Sequence, residues 1–213
     1  MKNILLLLLL CIASQSFSQP PDRPFRPLNA YTLEGYRPID VSEAFDLPAG
    51  VEFTSVASVA INSAGHLIVL QRSPVPFLEF DAEGTFIRSF GTADLFNRSH
   101  GLRIDEQDNL WVTDVSDHIA MKLNPDGEIL MSIGSRGESG TWDVTSGSLL
   151  LAEPNDIALD SYGNFYIAQG HGNGAVPEIL KFNSSGEFIM KWGALGNDQG
   201  EFAVAHSIVI DSD

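Results

Sequence analysis

Three copies of one twelve-residue pattern constrain this chain more than any other feature. They run without gaps from Phe80 to Gly91, from Leu123 to Gly134 and from Phe182 to Gly193. Each reads as strand, tight turn, strand, with Gly84, Gly127 and Gly186 where the turn requires a positive φ. A second pattern precedes the first and occurs four times, as Val59-Ala-Ile-Asn62, Leu102-Arg-Ile-Asp105, Ile157-Ala-Leu-Asp160 and Ile208-Val-Ile-Asp211. After its first three copies come a turn and a β-rich run: Leu67–Leu70, Leu110–Thr113 and Phe165–Ala168. From the Asn or Asp anchor to the terminal glycine there are 29, 29 and 33 residues, room for four short strands per unit, and the anchors recur every 43–55 residues. That period, with short turns and alternating runs, predicts an all-β fold of four-stranded β-propeller blades over residues 51–213. A helical repeat of similar length needs a 3.6-residue apolar period, and no convincing stretch of it is present.

Three units and one further strand fall short of the roughly 4–8 blades that close a propeller. The sequence is therefore expected to be a fragment of a longer one. The four extra residues of the third unit lie between Gly170 and Glu178. Such insertions usually map to loops on one face, often the binding face.

The amino terminus reads as an export signal over residues 1–18: Lys2, the apolar run Ile4–Ile12, then Ser16-Phe-Ser18. That run is too short to span a bilayer, no other stretch of the sequence is apolar for long enough, and a secreted or periplasmic location follows as an expectation. Residues 19–27 hold four prolines and open a tether that leads onto the domain by residue 50. The one cysteine, Cys11, lies inside the signal. A metal in the mature chain must then be held by His, Asp, Glu or carbonyl oxygen. With 28 acidic against 12 basic residues, a net charge of −16, nucleic acid is a poor partner.

Position in the repeat singles out two histidines. His100 and His206 each stand five residues before an aspartate anchor, and the other two units place Ala57 and Asn155 there. If this column opens the innermost strand, imidazoles from separate blades meet at the channel mouth, where neutral imidazole suits zinc. Two hydrogen-bonded strand caps fit the spacing as well. Arg72 follows the most apolar strand of its unit and suits either a surface ion pair or a planar donor facing a carboxylate. His171 sits between glycines in the lengthened loop, as an exposed loop residue or as a base near working pH. His66 and His118 read as structural, and the acidic turn Asp105–Asp108, which lacks the twelve-residue spacing of a calcium loop, as a solvated turn. Asn97-Arg-Ser99 and Asn183-Ser-Ser185 are glycosylation sequons.

Blades that end Trp192-Gly193 and continue Gly200-Glu-Phe202 resemble NHL-repeat propellers. Three stretches are further similar to peptidyl-α-hydroxyglycine α-amidating lyase, also called peptidylamidoglycolate lyase. They are Ser99–Val115 with His118, Pro154–Asp160 and Ala205–Asp211. The resemblance implies a six-bladed propeller whose zinc, on three histidines, serves to split a peptidyl hydroxyglycine into a peptide amide and glyoxylate. His100 and His206 fall on two of those ligands, and the third is expected beyond Asp213. Arg72 matches the family's active-site arginine, with Gln71 where a histidine is common. Calcium, held partly by backbone carbonyls, would fall at Val59 and Leu102. The catalytic tyrosine of the animal enzymes aligns with His171, and Gly-His-Gly at this place resembles bacterial branches. The implied substrate is a peptide or small molecule with a hydroxyglycine-like end. Rival readings are a non-catalytic extracellular NHL propeller that binds a peptide, protein or glycan, and a lactonase-type enzyme, which would want carboxylates in the channel.

Overall fold

The computed structural model describes residues 45–172 and 174–211. The export signal at 1–18 and the tether as far as residue 44 lie outside the described residues. The first blade comprises β1 (Ser55–Ile61), β2 (Leu67–Arg72), β3 (Phe77–Phe80) and β4 (Phe86–Phe90). The second comprises β5 (Ser99–Ile104), β6 (Leu110–Asp114), β7 (Ile119–Leu123) and β8 (Ile129–Ile133). A short hairpin, β9 (Trp142–Asp143) with β10 (Ser148–Leu149), precedes the third blade, β11 (Pro154–Leu159), β12 (Phe165–Gln169), β13 (Glu178–Phe182) and β14 (Phe188–Trp192). In each blade the strands pair antiparallel in chain order. Three four-stranded propeller blades are thus present. No helix among the described residues is long and apolar enough to cross a membrane.

Burial follows the position of a strand in the stack. All five residues of β6 are buried, because blades cover both faces of the middle sheet, and a strand covered on both faces need not alternate. The fourth strands lie outermost, and β4 alternates between exposed and half-buried residues. Between the first two blades Ile68, Leu70 and Phe77 meet Leu102, Leu110, Val112 and Met121. Between the second and third, Trp111 and Ile133 meet Phe165, Ile167, Leu180 and Phe182. At roughly 1.5–3 kcal/mol per fully buried large apolar side chain, these two interfaces supply most of the drive for stacking. Phe45, Leu47 and Val51 pack on the far face of the first blade, against Val69, Leu78 and Phe80. Phe202, Ala205 and Ile208 do the same for the third blade, against Ala168 and Ile179.

Two features depart from the sequence reading. Residues Ile208–Asp211, expected as the first strand of a fourth unit, carry no β-ladder. A strand exists only through its neighbour, and the start of this segment is held by side chains instead, with Ile208 N donating to Asp156 Oδ2 at 3.1 Å and Ile208 O accepting from Arg103 Nη2 at 3.4 Å. The hairpin β9–β10 was not anticipated. Its signal was the turn-forming run Asp143-Val-Thr-Ser-Gly147, and its purpose is packing, since it lays the buried Trp142 edge-on to Phe182 at 5.0 Å.

Candidate metal centre

The first strand of every blade has a register shift near its start, between Val56 and Ser58, between Ser99 and Leu102, and between Pro154 and Asp156. These irregularities span Ala57, His100 and Asn155, the repeat column that also holds His206. A bulge turns a side chain out of the regular pleat and often stands next to a functional site. Here it lets His100 lean across the mouth of the inner strands. Gly101 allows the close approach, since a β-carbon there would meet Asn155 O at 2.8 Å.

Three imidazoles converge at that mouth. The ring of His100 lies 4.9 Å from His206 and 5.2 Å from His171, and His171 lies 5.0 Å from His206, between centroids. Each offers one nitrogen, and the three nitrogens lie within 4.8 Å of one another. The column brought His100 and His206 together. His171 arrives from another direction, on the lengthened loop after β12.

The surroundings orient the rings. His100 Nδ1 lies 2.9 Å from Asn155 O, the carbonyl that also accepts the hydroxyl of the fully buried Thr113 at 2.8 Å. As donor to that carbonyl, Nδ1 carries the proton and leaves Nε2 with a free lone pair. Thr113 Oγ1 in turn accepts from Gly101 N at 2.9 Å. Asp114, also fully buried, accepts from Asn97 N at 2.7 Å and Arg98 N at 2.8 Å and so fixes the approach to His100. Burial lowers the pKa of His100 below the ordinary imidazole value; the bond to Asn155 opposes this, and the neighbouring His206, His171 and Arg72 add to it. His171 is lowered as well, by burial first and then by His206 and Arg98, against an opposing pull from Glu153. Neutral imidazole, the form that ligates a metal, is thereby favoured.

The donor set fits a zinc ion. Tetrahedral zinc bonds imidazole nitrogen at about 2.0–2.1 Å, which asks for donors ~3.4 Å apart, against a spread here of no more than 4.8 Å. Unpartnered polar atoms gather at the same place. Among the described residues four buried side-chain atoms lack a hydrogen bond, and three of them, Ser99 Oγ, Asn155 Oδ1 and Glu153 Oε2, belong to residues that adjoin or hold His100 and His171. Clustered orphans of this kind call for an explanation such as an ion or a catalytic role.

Arg72 lies on the same rim, exposed, with Nε donating to Ser99 O at 3.1 Å. Gln71 is buried and caps the approach to β1, accepting from Thr54 N at 2.9 Å; Gln169 plays the same part before β11, accepting from Ala152 N at 3.0 Å. Val59 and Leu102 sit on the inner strands β1 and β5. The carbonyl of Leu102 accepts from the Arg103 guanidinium at 2.9 Å. His66 and His118 are structural: His66 Nδ1 is 2.8 Å from Glu79, and His118 Nδ1 accepts from Glu153 N at 3.1 Å. The turn Asp105–Asp108 is more than a solvated turn, because Asp105 accepts from Trp111 Nε1 at 3.0 Å and pairs with Lys122 at 3.0 Å.

Two residues of the rim escaped the sequence reading. Glu153 holds a left-handed backbone, φ 54°, rare for a non-glycine residue, and its carboxylate lies where a β-carbon on Gly172 would stand. Arg98 is exposed on the loop before His100. Of the basic side chains described, only Arg72 and Arg98 lack a described carboxylate within ion-pair distance. In so acidic a protein, two unpaired cations beside the histidines mark a face suited to an anion.

No family model matches the sequence. It is 28% identical over 187 residues to a probable peptidyl-α-hydroxyglycine α-amidating lyase of Caenorhabditis elegans, covering 76% of this chain and 51% of the relative. It is 37% identical over 110 residues to peptidyl-α-hydroxyglycine α-amidating lyase 2 of Drosophila melanogaster, covering 51% of this chain and 25% of the relative. A 26% identity over 227 residues links it to the peptidylglycine α-amidating monooxygenase of Rattus norvegicus, covering 92% of this chain and 22% of the relative. The chain thus spans about half the length of the nematode relative and a quarter or less of the others. Among solved structures it is similar to a streptogramin B lyase, with TM-score 0.52 and 15% identity over 75% of this chain and 46% of that one. A Bacteroides thetaiotaomicron protein of unknown function gives TM-score 0.56 and 21% identity, over 73% of this chain and 42% of that one. At those identities the likeness is one of fold.

Proposed function

We propose that this chain carries the active-site rim of an exported, zinc-dependent lyase that converts a peptidyl-α-hydroxyglycine into a peptide amide and glyoxylate. The observation that carries the reading is the convergence of His100, His171 and His206, supported by the similarity to amidating lyases. His100, through Nε2, would hold zinc together with His171 and His206. Bound there, zinc would supply Lewis-acid polarisation of the substrate's α-hydroxyl.

The chain's own residues do the remaining work. Asn155 O and Thr113 lock the tautomer and direction of His100. The guanidinium of Arg72 offers a planar pair of donors to the carboxylate of the hydroxyglycine, which becomes the carboxylate of departing glyoxylate. Arg72 is itself steadied by Ser99 O, at the foot of the strand that presents His100. As the C–N bond breaks, the hydroxyl proton leaves, the hydroxyl carbon becomes the aldehyde of glyoxylate, and the amide nitrogen takes up a proton. We place His171 in the donor set and not as the base, because its nitrogen lies with those of the other two histidines.

The test is release of glyoxylate from a synthetic peptidyl hydroxyglycine by zinc-loaded protein. Activity above the buffer rate is expected, with Arg72→Ala slower by on the order of 10²-fold, as for loss of one electrostatic group. No activity above buffer from protein with zinc bound would favour the binding-module reading. A His171→Ala variant that keeps its zinc and loses only rate would return His171 to the role of base.

A further inference from the structure

Three residues after His100 a cation already sits between the inner strands. Arg103, on β5, donates Nη1 to its neighbour's carbonyl, Leu102 O, at 2.9 Å. Nη2 donates to Asp156 Oδ2 on β11 at 2.7 Å and to Ile208 O at 3.4 Å. Asp156 is buried and fully engaged. Its Oδ2 also accepts from Ser207 Oγ at 2.7 Å and Ile208 N at 3.1 Å, and its Oδ1 accepts from Ile157 N at 2.9 Å. One guanidinium therefore ties β5, β11 and the Ala205–Ile208 segment together. These stretches occupy equivalent places in successive repeat units.

This arrangement does not fit calcium at Leu102, where the family resemblance puts it. Calcium takes 6–8 oxygen ligands at about 2.3–2.6 Å. An ion at that distance from Leu102 O would stand within ~5.5 Å of the guanidinium nitrogen on the same oxygen. Asp156, the carboxylate that Arg103 holds, is already neutralised and is not free to offset a divalent charge. We infer that Arg103 replaces calcium in this chain: the side chain is a built-in cation that joins the inner strands, and the fold does not depend on a divalent ion there. This inference stands apart from the lyase reading, since it concerns neither zinc nor substrate.

The experiment is thermal unfolding of zinc-free protein in EGTA and in 1 mM CaCl2, for the wild type and for Arg103→Ser. The wild type is expected to melt within about 1 °C in the two buffers; a site with a Kd near 10 μM would be about a hundredfold over-saturated and plainly stabilised. Arg103→Ser is expected to melt ~6 °C or more below the wild type in EGTA, as when one partner of a buried ion pair is removed, and to regain part of the loss with calcium. A wild-type melting point raised by 3 °C or more in calcium would overturn the inference, as would an Arg103→Ser protein that melts with the wild type in EGTA. Should Arg103→Ser not fold, the wild-type comparison decides alone.

Discussion

The two ends of the inner strands follow opposite rules. At the anchor end the repeat is kept. Asp105 accepts from Gln107 N, Asn109 N and Trp111 Nε1 and pairs with Lys122. Asp160 does the same with Tyr162 N, Asn164 N, Tyr166 OH and, at 3.9 Å, Lys181. The first blade keeps the geometry with a neutral anchor and an acid in the lysine's place: Asn62 accepts from Ala64 N and His66 N, and Glu79 stands where the others carry lysine, held by Arg88 at 2.6 Å and by His66. At the rim end the equivalent column reads Ala57, His100, Asn155, His206, and the third imidazole comes from an insertion. What recurs in every unit closes the hairpins. What departs from the repeat gathers the chemistry.

The sharpest way to break this comparison is at the rim. His100→Ala, His171→Ala and His206→Ala are each expected to weaken zinc binding by ~10³-fold, about one ligand's share of a structural-zinc affinity, read by equilibrium dialysis. Chemical denaturation of the zinc-free variants should change little. Equal zinc binding by all three variants and the wild type would make the cluster structural.

At the anchor end the effect should fall on stability alone. Asp105→Ala strands the indole N–H of Trp111 and the ammonium of Lys122 and is expected to cost about 3 kcal/mol in urea denaturation, with zinc affinity unchanged. Asp160→Ala should cost less, because its lysine stands farther off.

Glu153 joins the two rules in one residue. Its left-handed backbone is strained, and glycine relieves such strain, so Glu153→Gly is expected to raise stability by up to about 1 kcal/mol. The same change removes the carboxylate beside the His171 loop and should lower zinc affinity ~10-fold. A loss of stability with zinc binding intact would show that the residue serves packing only.

Acid should separate the ends as well, with smaller effect. Burial raises the pKa values of Glu79, Asp105 and Asp160, but their hydrogen bonds outweigh it and the net shift is downward. For a carboxyl lowered in the folded state, the stabilisation is complete above the unfolded value, about 4, and is lost as pH falls through the folded value. His100 and His171 are also lowered, by burial first. Zinc-free protein should therefore lose a first increment of stability as pH falls below about 6.5 and a second below about 4. In urea titrations across this range, Asp105→Asn should diminish only the second and His100→Ala only the first. A single acid transition unaffected by either change would contradict the assignment.

Much of this was legible in the sequence because a propeller blade is specified locally. The anchor, the turn and the β-rich runs recur at fixed spacing, each run pairs with the next, and so fold class, blade limits and the shared column of His100 and His206 could be read from periodicity alone. Arg72 was visible as the cation that ends an apolar strand. Tertiary structure decided whatever depends on approach between units. His171 lies on an insertion that no spacing rule places, and only the packing of the third blade on the second brings it to His100. The backbone of Glu153 carries no residue-type signature, since left-handed geometry is usually marked by glycine. Arg103 reads as one charge in a strand until β5, β11 and the Ala205–Ile208 segment are side by side, and only then are Leu102 O, Asp156 and Ile208 O acceptors of a single guanidinium. Short-range patterning fixed the strands, and contacts across 50 to 105 residues fixed what lies between them.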